Sequence, residues 1–133
     1  MVHAKLAGEP YRVDIVAGGH DLVGDESKEH GGGGAGPAPF ELVLSGLAAC
    51  TLITLRMYAE RKGWAGFEVS GRFRYRHEDG GHLIDRDLAV SGAPDAAAVQ
   101  RLAEIAEKTP VTLALKAGFT ISTELTEAAS ARI

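Results

Sequence analysis

With 133 residues, 45% of them apolar, and a formal net charge of −4, the chain has the size and composition of one globular domain. No stripe of Lys or Arg interrupts that acidic balance, which argues against a binder of nucleic-acid backbone. A lone cysteine, Cys50, excludes an internal disulfide, and no charged-then-apolar leader opens the chain. The expectation is a protein of the reducing cytoplasm.

From Val2 to Gly24 the pattern is strand-like. Tyr11 to Val16 alternates for part of its length, with Gly8-Glu9-Pro10 as a turn before it and Gly18-Gly19 as a hairpin connection after it. His20 to Val23 makes a third short strand, so a small meander is predicted. Asp25 to Ala38 reads as a loop around Gly31–Gly34. That glycine run lacks the Lys-Ser/Thr of a phosphate-binding loop and does not directly follow a strand, so no nucleotide or other cofactor is expected. A mobile lip over the cysteine pocket is the expectation for it. Within it, Asp25, Glu26, Lys28 and Glu29 read as solvated.

Pro39 to Ala59 is the segment around which the rest is organised. Pro39 suits a first helical turn, Glu41 suits the positive end of the helix dipole, and Arg61-Lys62-Gly63 supplies terminal cations and a capping glycine. Between Glu41 and Arg56 only fourteen residues intervene, short of the ~20 that span a bilayer, so a buried core helix is expected and no membrane partner. A helix apolar on every side must be covered on every side.

Beyond it, Phe67 to Arg76 alternates, with Phe67, Val69, Phe73 and Tyr75 on one face and Arg72, Arg74 and Arg76 on the other, toward solvent. Glu78-Asp79-Gly80-Gly81 turns the chain and Leu83–Val90 returns as its partner. Asp95 to Lys108 is an amphipathic helix, and Thr109-Pro110 caps and starts a shorter one. Phe119–Leu125 reads as a final strand, and 126–133 as a tail. Strands, helix, strands, helix and strand in that order suit an antiparallel α+β layer. None of His3, His20, His30, His77 and His82 pairs at metal-ligand spacing. His77, Glu78, Asp79 and His82 flank one solvated turn, so no metal is expected.

On residue type alone, Cys50 reads as a small buried hydrophobe. The motif Gly-Pro-x-Pro-x-Glu-Leu (36–42), then Leu-Ala-Ala-Cys-Thr (47–51) and Leu-Arg-Met-Tyr-Ala (55–59), resembles the OsmC/Ohr family of osmotically inducible and organic hydroperoxide resistance proteins. It is closer to the OsmC-like branch, and the resemblance runs from about His3 to Leu125. It implies a single OsmC-like domain over 1–125, an antiparallel sheet packed on a long buried helix, and an intertwined homodimer. It also implies a reactive thiol at Cys50 that reduces organic hydroperoxides or hydrogen peroxide, with Glu41 as the candidate catalytic carboxylate.

The peroxidase members of that family carry a second cysteine just before a proline, where this chain has Thr109-Pro110, so recycling would fall to an external thiol. A histidine usual two residues after that proline is replaced by Thr112. The family's thiolate-holding arginine comes from an early loop, but no arginine lies between Arg12 and Arg56 here. Arg12 and Lys28, reaching in from the other subunit, are the candidates to replace it. Glu41 stands nine residues before Cys50, roughly 180° around an ideal helix, and so reads as a helix-start carboxylate rather than as part of the catalytic site. The alternative to a peroxidase is a catalytically degenerate dimer that binds a small hydrophobic ligand, with Cys50 as packing.

Overall fold

A computed structural model describes residues 1–127. It has an α+β architecture in two compact units, Met1–Val43 with the described residues from Ile121 on, and Leu44–Thr120. The greater part of the expected tail lies outside the described residues.

In the first unit, β1 (Val2–Gly8), β2 (Arg12–Ala17) and β3 (His20–Gly24) form the expected antiparallel meander in the order β1-β2-β3. Gly18 and Gly19 both take positive φ, as a two-residue hairpin turn requires. The segment after β3 is the glycine-rich stretch expected as a mobile lip. It contains a short 3-10 turn, Lys28–His30, and is pinned by Asp25, which is buried. The Asp25 carboxylate accepts from the amides of Glu26 (2.7 Å) and Ala35 (3.0 Å), while its own amide donates to Pro37 O (3.1 Å). The Ala35 amide foremost, with those of Glu26 and Gly33 and the charge of Arg12, holds the Asp25 carboxyl below its usual range against the opposing effect of burial. A methyl group on Gly32 or Gly36 would run into the carbonyls of Glu26 and Val23, so close backbone approach accounts for these glycines.

Helix α1 (Pro39–Lys62) begins in the first unit and continues in the second. It ends as its sequence indicates. Gly63, at φ 71°, donates to Glu60 O (3.0 Å) and Trp64 donates to Ala59 O (3.1 Å), the paired bonds of a left-handed C-terminal cap. By length and composition alone its 24 residues could cross a membrane. Leu47, Thr51, Leu55 and Ala59, spaced by four, form its buried stripe.

That stripe meets the rest of the second unit. Strands β4 (Glu68–Glu78) and β5 (Gly81–Ser91) form an antiparallel hairpin closed by Asp79 and Gly80, both at positive φ. Helix α2 (Ala96–Ala106) follows, capped by Asp95, and α3 (Pro110–Ala117), capped by Thr109. Leu55, Ala59, Phe67, Leu102 and Ala106 make the core, with Trp64, Val69, Leu88 and Val90 against it. There are thus two separate sheets rather than one. Phe119–Leu125 is in no strand, and Phe119, Ile121 and Leu125 are exposed. A strand needs a neighbour for its amides, and among the described residues that segment has none.

Candidate functional site

Cys50 lies at the middle of α1 and is half-buried, not sealed in the core. At about 100° per residue it shares a stripe with Gly46, Ile53 and Met57, well away from the buried one. Ile53 and Met57 are about half exposed, and nothing approaches a Cβ placed on Gly46. So α1 of the single chain is covered along one stripe only.

The backbone that carries the sulfur is held by two hydroxyls. Thr51 Oγ1 donates to Leu47 O and Thr54 Oγ1 to Cys50 O, each at 2.7 Å, a back-bonding pattern that fixes β-branched residues in a helix interior. No hydrogen bond to the sulfur itself is present among the described residues.

Bound to Thr51, the residue that follows Cys50 in sequence, is a residue that sequence reasoning missed. The β4–β5 register sets Arg86 opposite Phe73, on the core face. Its side chain is only 12% exposed. Nη1 donates to Thr51 Oγ1 (3.1 Å) and Thr112 Oγ1 (2.9 Å), and Nη2 to Ala106 O (2.9 Å) and Glu107 Oε2 (3.1 Å). Thr109 and Thr112, which occupy the positions of the resembled family's second cysteine and histidine, share a hydrogen bond of 2.6 Å and are both buried. Lys116 completes the chain by donating to Glu107 Oε1 (2.8 Å). Lys116 foremost, together with Arg86, holds the Glu107 carboxyl below its usual range, against burial. A buried guanidinium is tolerated only when its donors are satisfied, and hydroxyls, a carbonyl and a carboxylate satisfy this one.

This network forms one wall of an open groove of about 1150 Å³ with Leu47, Ile84 and Leu115 on its apolar part. Further along, Asp85 accepts from Arg74 (2.9 Å) and from both Nε and Nη2 of Arg76, so two of the arginines expected in solvent are ion-paired. Arg76 also pairs with Glu78. With Arg76 foremost and Arg74 next, the Asp85 carboxyl is pulled down to about 2.

Of the other predicted residues, Glu41 accepts from the amide of Ala38 (2.9 Å), as a helix-start carboxylate does. Arg12 pairs with Asp14 on its own strand (3.1 Å). Among the described residues no group of three or more His, Cys, Asp or Glu side chains is placed to hold a metal.

The family described as OsmC-like protein matches residues 31–124. No curated protein matches the chain. Among solved structures, the fold is similar to an OsmC-like protein from Mycoplasma pneumoniae, at 18% identity over 87% of this chain and 86% of that one, with a TM-score of 0.68. It is similar to an organic hydroperoxide resistance protein OsmC from Legionella pneumophila, at 20% identity over 87% and 88%, TM-score 0.63. A Vibrio cholerae protein of the organic hydroperoxide resistance type, with captopril bound in one of its active sites, shares 22% identity over 80% and 77%, TM-score 0.54. At such identities the structures speak for the fold. The family match, covering more than half the sequence, speaks for descent, and the chain belongs to the OsmC-like family.

Proposed function

We propose that the chain is a one-cysteine peroxide reductase that works as a homodimer. The observation that supports the reading best is the half-buried Cys50 on the uncovered side of α1, next to a residue held by a buried cation. The Cys50 thiolate attacks one peroxide oxygen. An S–O bond forms, the O–O bond breaks, and the alcohol (or water) leaves with a proton, giving a sulfenic acid. An external thiol then attacks the sulfur, expelling water and forming a mixed disulfide. A second external thiol attacks the sulfur of the first, which expels the Cys50 thiolate and releases the reductant as a disulfide. In this scheme Glu41 organises the start of α1 rather than moving a proton.

The dimer is supported by the exposure of Ile53 and Met57 on α1 and of Phe119, Ile121 and Leu125 after α3. A domain of this size has little apolar surface to spare for water, and a second copy covers it. The test is turnover of an organic hydroperoxide with a dithiol present. Wild type is expected to consume many equivalents and Cys50→Ser none. Equal idleness of the two ends the proposal.

A second reading draws on a specific observation: among the described residues no donor is hydrogen-bonded to the sulfur, and Thr109, Thr112 and Arg86 are engaged with one another. On that reading the protein binds a small hydrophobic ligand and Cys50 is packing. Ligand affinity unchanged in Cys50→Ala, in a protein that never turns over peroxide, is its signature.

A further inference from the structure

The turn of the β4–β5 hairpin brings together two histidines that the proposed thiol chemistry does not use. Glu78 faces Gly81 across a two-residue turn, so His77 faces His82. In such a hairpin the pair next to the turn is hydrogen-bonded and the following pair is not. The second kind brings side chains closest, with Cβ atoms about 4.5–5.5 Å apart. The two imidazole rings lie with centroids 4.7 Å apart and planes 19° from parallel. Tyr75, two residues before His77 on the same face, places its hydroxyl 2.6 Å from His82 Nδ1.

We infer that His77 and His82 form a two-ligand site for a divalent transition-metal ion of the zinc type, oriented by Tyr75. A hydroxyl can accept as well as donate. With Tyr75 accepting from Nδ1–H, the His82 tautomer leaves Nε2 with its lone pair free, which is how an outer partner orients a metal-ligating histidine. Both histidines are exposed, so a hydrated ion can reach them. The last side-chain torsion of histidine is soft, and modest rotation of the rings brings two nitrogens to the ~2.1 Å that zinc requires. Imidazole selects zinc, nickel or copper over magnesium or calcium. Glu78 points to the other face and is bound by Arg76, so water supplies the remaining ligands and the ion exchanges readily.

The test is a calorimetric titration of the full chain with Zn²⁺ at about pH 7.5, where an ordinary histidine is neutral. One ion per chain is expected. His77→Ala or His82→Ala should each weaken binding by about tenfold or more, because the second ligand no longer acts at high effective concentration. Tyr75→Phe should weaken it severalfold, while His3→Ala and Cys50→Ser leave it unchanged. In wild type the ring-proton resonances of His77 and His82 should shift together with zinc, a readout that does not depend on any variant folding. Binding that survives His77→Ala or His82→Ala, or resonances of the pair that zinc leaves in place, overturns the assignment. Either result is independent of peroxide turnover.

Discussion

Arg86 Nη1 lies 3.1 Å from Thr51 Oγ1, so the residue that follows Cys50 is tied to a guanidinium reaching in from β5. The same group binds Thr112 on α3 and the last carbonyl of α2. One side chain therefore holds three helices to one strand.

Replacing it should be felt by all of them. Arg86→Met leaves Ala106 O without this donor and strips Thr51 and Thr112 of one bond each. The expected loss is about 2–3 kcal/mol, measured by urea unfolding. Arg86→Lys should recover only part of it, because one ammonium cannot span the same acceptors as a planar fork.

Asp85 offers a test of the ion-paired surface. Its carboxyl is lowered to about 2, with Arg76 the main cause, so its contribution to stability is full above the unfolded value of about 3.9. That contribution should fade as pH falls from about 4 toward 2. Carboxyl titration followed by NMR should place the Asp85 midpoint near 2, and Arg76→Gln should raise it.

Asp25 should govern the order of the glycine-rich segment. In Asp25→Ala the amides of Glu26 and Ala35 lose their acceptor, and their hydrogen exchange should quicken while the β4–β5 amides stay as they were. Because the carboxyl is lowered, the same quickening should appear in wild type only when pH falls below the ordinary carboxylate range.

Gly46 separates the fold of one chain from its pairing. It sits inside a helix with open space where a Cβ would be, so Gly46→Ala should stabilise the isolated chain by up to about 1 kcal/mol. In the proposed dimer the added methyl enters the contact. The dissociation constant read by sedimentation should then rise even as the monomer grows more stable.

Much of this architecture could be read from local signals. Asp95 and Thr109 cap their helices, Gly63 ends α1, and Asp79-Gly80 closes its hairpin, because each signal acts within a few residues. Phe119–Leu125 alternates like a strand, yet a strand exists only where something pairs with it, and alternation cannot supply that. The burial of Asp25 depends on amides as far as ten residues away, so its polar neighbours in sequence were a poor guide. Arg86 could have been found. Counting back from a two-residue turn sets it opposite Phe73 on the apolar face, where an arginine must have partners. A charged residue in a strand invites the assumption of solvent, and that assumption hid the network.

Thr109 begins α3 with its hydroxyl and shares that hydroxyl with Thr112. A thiol substituted there would be a weak cap and a weak partner, and the disturbance would pass through Thr112 to the guanidinium. Gaining a second cysteine at position 109 is thus an uphill mutational path, since the first step costs folding before any disulfide can reward it.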